Sequence, residues 1–182
     1  MYKTEGPAVE RASRIKLLAM DCDGVLTDGS IILSSGGEDI KRFHSRDGQG
    51  LTLAKAAGLR TAIISGRSSK ALEYRARELG IDFLVQQSSD KLVELIRILE
   101  LAGVSAQEAA FIGDDLPDLP AMRYVGLAIA VRDAVDEVKA AAHIITSKSG
   151  GQGAVRESIE FILKARLLWN SVTDRYSGGT AR

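Results

Sequence analysis

A single cysteine, Cys22, leaves the chain without an internal disulfide and fits a reducing compartment, with the cytoplasm as the expected location. Excess charge of either sign is also missing. Twenty-four Lys and Arg stand against 24 Asp and Glu, so neither a nucleic acid nor an anionic membrane is an expected partner. No apolar run approaches the length of a membrane span, and the opening stretch MYKTEGPAVERASR carries acids and lacks the apolar segment of a secretory signal. Repeats and low-complexity tracts are absent. The two histidines, His44 and His143, lie far apart without ligand spacing and are read as structural. Gly150, Gly151 and Gly153 lack the spacing of a dinucleotide fingerprint and are read as a flexible entry to the last helix.

What is present fits one globular domain. The 182 residues are 45% hydrophobic and 26% charged, enough for a full core. Residues 1–14 read as a mobile polar leader, 15–170 as a single domain and 171–182 as a flexible tail. Short, nearly continuous apolar runs recur as IKLLAMDC, LRTAIIS, IDFLVQ, AAFIG, LAIAV and HIIT, each too short for an ordinary helix. Between them lie helical segments that stop at Gly58, Gly80 and Gly103, where a left-handed cap is expected. In one of these, Leu92, Leu95, Ile96 and Leu99 make a stripe suited to packing on a sheet. Strand and helix therefore alternate, which predicts an α/β fold: a three-layer, Rossmann-like parallel sheet with helices on both faces.

One segment breaks the rhythm. Residues 29–44, GSIILSSGGEDIKRFH, place two β-prone runs around Ser35-Gly36-Gly37-Glu38 and predict a β-hairpin flap after the first strand. The last helix is expected over about 154–170, with Val155, Ile159, Ile162, Leu163 and Leu167 on one side, more apolar surface than a free terminal helix needs.

In open α/β sheets ligands bind outside the carboxyl ends of the strands. Four such ends carry polar chemistry: Asp21-Cys22-Asp23-Gly24, then Ser65-Gly66-Arg67, then Lys91 at a helix start, then Gly113-Asp114-Asp115-Leu116-Pro117-Asp118. Each residue type has a task on a phosphate ester. Asp21 can attack phosphorus as an oxygen nucleophile, and Asp23 can give a proton to the leaving alcohol and take one from water. A carboxylate approaching a phosphate dianion needs a cation, and hard oxygen ligands favour Mg²⁺, with Asp114 the best additional ligand. Lys91, the Ser65 hydroxyl and backbone amides after Asp21 can hold the equatorial phosphate oxygens, and Gly24 permits close approach. Cys22 has Asp28, not arginine, six residues on, so a thiol phosphatase is excluded; strand alternation points its side chain into the core.

D-x-D-G-V-L-T, a strand-end Ser, a helix-opening Lys and G-D-D-x-x-D, in that order over residues 16–147, resemble the haloacid dehalogenase (HAD) superfamily of aspartate-based phosphatases. FHSRDGQG after the hairpin and GGQGAVRE at residues 150–157 further resemble its 3-deoxy-D-manno-octulosonate 8-phosphate (KDO 8-phosphate) phosphatase branch. That resemblance implies a HAD-like fold without a cap domain, a homotetramer whose subunits close one another's sites, and a tail that reaches toward a neighbour. It implies Asp21 as nucleophile and Asp23 as acid and base. Mg²⁺ would be held by the Asp21 carboxylate, the Asp23 carbonyl and Asp114, with Asp115 and Asp118 as outer support. Ser65, Gly66 and Lys91 would bind phosphate, and Arg46, Arg67 and Arg156 are candidates for the substrate carboxylate. Cys22 stands where a small aliphatic residue is usual in the branch, His143 where an acid or aromatic segment is often found, and the C-terminal stretch runs past the shortest members. The expected activity is release of phosphate from KDO 8-phosphate for lipopolysaccharide synthesis. A KDN or N-acylneuraminate 9-phosphate phosphatase, a receiver-type phosphoacceptor and a non-catalytic oligomeric subunit are the alternatives.

Overall fold

A computed structural model describes residues 6–37 and 39–176. In chain order these form α1 (Pro7–Ser13), β1 (Leu17–Met20), β2 (Ile32–Leu33), β3 (Asp39–Ile40), α2 (Ser45–Ala56), β4 (Arg60–Ile64), α3 (Lys70–Leu79) and β5 (Phe83–Val85). There follow α4 (Lys91–Ala102), β6 (Ala109–Gly113), α5 (Leu119–Tyr124), β7 (Leu127–Ala130), α6 (Asp136–Ala141), β8 (Ile144–Ile145), α7 (Ala154–Ala165) and α8 (Trp169–Thr173). Six strands pair in parallel in the order β5-β4-β1-β6-β7-β8, with Leu17 of β1 opposite both Arg60 and Ala109. β1, β6 and β7 are buried at every residue, as expected of strands covered on both faces.

The strand order explains the layers. From β1 the chain steps outward through β4 to β5, then crosses to β6 on the other side and steps outward again. With right-handed crossovers, α2 and α3 fall on one face of the sheet and α4, α5 and α6 on the other. The chain's last long helix returns to the first of these faces, where α7 packs on α1 and α2, while α5 packs between α4 and α6. The direction of winding reverses beside β1, where α/β folds open their ligand crevice.

Glycines end the helices as expected: Gly80 and Gly103 are left-handed caps of α3 and α4. The hairpin is also found, with Ile32 opposite Ile40 and Leu33 opposite Asp39; Glu38 at its turn lies outside the described residues. Four expectations need correction. Part of the supposed leader is α1, which begins at Pro7, buries Ala12 and packs on α7 and β7. On α4, Ile98 is buried beside Leu95 and Leu99, whereas Leu92 and Ile96 are only half-buried. The last helix is two: α7 stops at Ala165, Leu167 turns left-handed at φ 58° with 90% of its surface exposed, and α8 follows. The fourth concerns the glycines before α7 and belongs to the site they support. Of the expected tail, Ser171 to Thr173 lie in α8, and residues 177–182 lie outside the described residues.

Candidate active site

β1 ends by handing the chain to a tight loop. The Asp21 amide donates to the Ile112 carbonyl at 3.1 Å, continuing the β1–β6 ladder, and the Cys22 carbonyl then accepts from the amides of Val25, Leu26 and Thr27. That turn leaves Asp21 and Asp23 facing the crevice and Cys22 wholly buried. Burial, with Asp23 nearby, pushes the Cys22 thiol far up, so it stays protonated and unreactive. Gly24 takes φ 93°, and a Cβ there would overlap the Asp114 carboxylate, so the residue must be glycine on both counts.

The glycines before α7 brace this loop from below. A Cβ on Gly150 would collide with the Gly24 carbonyl, and the Gly151 amide donates to the Val25 carbonyl at 2.9 Å. The Gly150 amide donates to Asp133 at 2.9 Å. The segment read as a flexible entry is thus a close-packed brace, and the glycines are there for proximity. Asp47 of α2 completes it, buried and accepting from the amides of Gly153 at 3.1 Å and Arg156 at 2.7 Å. Sequence reasoning missed Asp47, because an acid in the first turn of a helix is ordinarily a solvated residue.

At the centre, Lys91 from the first turn of α4 bridges two acids, 2.9 Å from Asp21 Oδ1 and 2.6 Å from Asp118 Oδ1. The second Asp118 oxygen accepts from the amides of Asp114 at 2.9 Å and Asp115 at 3.3 Å, so its carboxylate is fully engaged and wholly buried. Asp115 is exposed and caps the short turn after it through the Leu116 amide. The buried Asp114 Oδ1 has no hydrogen-bond partner.

Asp21, Asp114 and Asp118 bring carboxylate oxygens within 4.8 Å of one another. Burial, reinforced by Asp118 and only partly offset by Lys91, pushes Asp21 up to about 6. Burial and the charges of Asp21 and Asp118 push Asp114 up to about 8. Lys91 moves up as well, since its two acidic neighbours outweigh its own burial. One ammonium does not neutralise three carboxylates. The unpartnered Asp114 oxygen and the raised acids fit a hard divalent cation held by Asp21 and Asp114, with Asp118, whose oxygens are spent, supporting from outside.

Around this centre runs a cleft of about 690 Å³ lined by Asp21, Asp23, Gly29, Gly66, Arg67, Lys91, Asp114 and Asp115, with Ser88, Ser89 and Asp90 on the β5 side. Ser65 is buried, and its Oγ accepts from the Arg67 amide at 3.2 Å, which leaves the hydroxyl proton to donate. Ser88 was not anticipated. Its amide donates to the Ser65 carbonyl at 3.1 Å, beside Gln87, which holds the strained φ of 57°. Only the polar run QSSDK before Lys91 hinted at it.

Lys41, just past β3, was likewise missed: it pairs with Asp23. The three candidate arginines separate. Arg67 Nε lies 3.9 Å from Asp23 Oδ2, whereas Arg46 and Arg156 line a different cavity of about 1240 Å³ beside α7, and Arg156 stacks over Trp169. Both histidines are structural as expected. His44 Nδ1 accepts from the Arg46 amide to cap α2, and His143 Nδ1 accepts from the Ala128 amide.

Residues 83–158 match the haloacid dehalogenase-like hydrolase family. The 3-deoxy-D-manno-octulosonate 8-phosphate phosphatase of Yersinia pestis is 44% identical over 158 residues, 87% of this chain and 84% of the relative. Among solved structures, the corresponding phosphatase of Moraxella catarrhalis, in complex with magnesium, phosphate and KDO, superposes with a TM-score of 0.91 at 43% identity, covering 93% and 97% of the two chains. The cobalt-bound Haemophilus influenzae enzyme gives 0.88 at 40%, covering 92% and 98%.

Proposed function

The chain belongs to the haloacid dehalogenase-like hydrolases, in the 3-deoxy-D-manno-octulosonate 8-phosphate phosphatase branch, and on that premise we propose how its own residues hydrolyse that ester. It is a Mg²⁺-dependent phosphoric monoester hydrolase. The observation that carries the reading is the convergence of Asp21, Lys91, Asp114 and Asp118 from three strand ends, with Asp23 on the same cleft. An Asp21 oxygen bonds to phosphorus as the ester P–O bond breaks, and Asp23 gives its proton to the departing alcohol oxygen. Water then attacks the aspartyl phosphate, Asp23 takes the water proton, and phosphate leaves with Asp21 restored.

Lys91 stays protonated between Asp21 and Asp118, where it offsets phosphate charge and fixes the attacking carboxylate. The Ser65 hydroxyl and the backbone at Gly66 hold the phosphate, and Arg67 meets the sugar carboxylate. Asp21, Asp114 and the Asp23 carbonyl would hold Mg²⁺, which when bound neutralises charge on the transferring phosphoryl group. Asp118 supports this set through its contacts with Lys91 and the Asp114 amide. Arg46 and Arg156 do not join Arg67 within one subunit, so any contact they make with substrate is with a neighbour's.

The assembly we propose is a homotetramer, supported by the exposed apolar side chains of Ile31, Ile32, Leu33 and Ile40 on a hairpin too small to hold itself together. Among the described residues no helix is long and apolar enough to cross a membrane. Together with one buried cysteine this supports a cytoplasmic enzyme that supplies KDO for lipopolysaccharide synthesis.

The test is Mg²⁺-dependent phosphate release from KDO 8-phosphate beside KDN 9-phosphate, with D21N and D23N as controls. Preferential release from the first substrate, lost in D21N and sharply reduced in D23N, is expected. Preference for the second would move the enzyme to the nonulosonate branch, and release from neither would remove the phosphatase assignment.

A further inference from the structure

The mechanism above leaves one buried cation without a task. Lys41 follows β3 on the returning arm of the hairpin, and only 3% of its side chain is exposed. A lysine on a small ribbon is ordinarily solvated, and burying an ammonium is unfavourable unless it is paired. This one is paired twice: with Asp23 Oδ1, and at 3.2 Å with Oδ2 of Asp39 in β3. Asp23 lines the cleft, whereas Lys41 is not among the cleft residues. The other oxygen, Asp23 Oδ2, is the one approached by Arg67, a cleft residue, at 3.9 Å. The two oxygens of one carboxylate are therefore held in different surroundings.

We propose that Lys41 is a positioning residue for the acid–base step, fixing Asp23 so that Oδ2, and not Oδ1, exchanges the proton. An ammonium only donates hydrogen bonds. With Oδ1 accepting from Lys41, the carboxyl's own proton resides on Oδ2, on the cleft side. As Asp21 bonds to phosphorus and the ester bond breaks, its electron pair goes to the alcohol oxygen and the Oδ2 proton follows. In the second half, a proton of the attacking water returns to Oδ2 while the Asp21–phosphate bond breaks. Since Lys41 and Asp39 ride on the hairpin, the seat of the flap and the orientation of Asp23 are one arrangement. This inference rests on the phosphatase reading of the same site.

A proton donor matters in proportion to how poor the leaving group is, so the test compares two esters. Wild type, K41M and K41R are assayed on KDO 8-phosphate, whose alkoxide needs a proton, and on p-nitrophenyl phosphate, whose phenolate does not. K41M is expected to lose about 10²-fold in kcat on the sugar phosphate, the scale of a misplaced general acid, with KM little changed and a much smaller loss on the aryl ester. K41R, which keeps a donor, is expected to recover part of the loss on the sugar phosphate. In a D23N background K41M should add nothing further. Equal losses on the two esters, no loss on either, or a full additional loss in D23N would each overturn the role of Lys41. Wild type inactive on both esters would instead overturn the phosphatase reading. Activity of K41M on the aryl ester shows that the site has folded; if K41M does not fold, the same split between esters is read in K41R, and its absence there overturns the proposal.

Discussion

Asp118 reaches no solvent, yet three groups depend on it: the Lys91 ammonium and the amides of Asp114 and Asp115. Removing one partner of a buried ion pair leaves the other charge stranded, which typically destabilises by about 3–5 kcal/mol. Asp118→Ala is accordingly expected to lower unfolding stability in urea by roughly that amount and to weaken Mg²⁺ binding in calorimetry. A stability change within about 0.5 kcal/mol would place Asp118 among ordinary surface acids. Protons and Mg²⁺ compete for the neighbouring carboxylates. Asp21 at about 6 and Asp114 at about 8 lie above their ordinary 3.8, so without metal the folded protein binds more protons than the unfolded chain. Stability of the metal-free protein is then greatest below about pH 4 for these two groups and falls as pH rises through about 8, where both are charged. Cation binding needs the charged forms, so Mg²⁺ affinity rises over the same interval, with net proton uptake by buffer on binding. Calorimetry in buffers of different ionisation enthalpy measures that release, and affinity independent of pH between about 6 and 8 would contradict the assignment.

The elements differ in how plainly the residues announce them. β1 and β6 were legible because unbroken apolar runs have one simple explanation, and α3 and α4 because Gly80 and Gly103 mark their ends. Asp21, Lys91 and Asp114 were legible for the same reason: strand ends converge in this fold, so their neighbourhood follows from topology. Lys41, Asp47 and Ser88 were not, because their partners Asp23, Gly153 and Ser65 are set by how a hairpin, a helix start and a loop fold back. The glycines before α7 show the same limit, since glycine permits both flexibility and contact and only the position of Gly24 decides between them. Gly150→Ala tests this. Its methyl would meet the Gly24 carbonyl, so the catalytic loop must move. Overpacking of this kind destabilises by about 1–3 kcal/mol, and activity is expected to fall further than stability alone explains. Unchanged turnover and thermal midpoint would show that the brace gives way easily.

For the whole molecule, the sheet supplies rigid strand ends while the hairpin and the α7–α8 end carry exposed apolar surface that the proposed assembly would cover. Leu167 in the break and Ile31, Ile32, Leu33 and Ile40 on the hairpin are exposed apolar side chains. A triple substitution of Ile32, Leu33 and Ile40 by Thr is expected to shift the protein to smaller species in sedimentation velocity and to lower turnover with the sheet intact. An unchanged sedimentation coefficient would remove the hairpin from the proposed assembly. That experiment addresses the proposed assembly. The central claim is that Asp21 itself carries the phosphoryl group. Rapid acid quench of Mg²⁺-loaded protein turning over KDO 8-phosphate, followed by peptide mass spectrometry, tests it most directly. The account predicts a phosphoryl adduct on Asp21, formed no more slowly than phosphate is released and longer-lived in D23N. Phosphate released at full rate with the adduct absent from wild type and D23N alike would mean that water attacks the ester directly, and would contradict it.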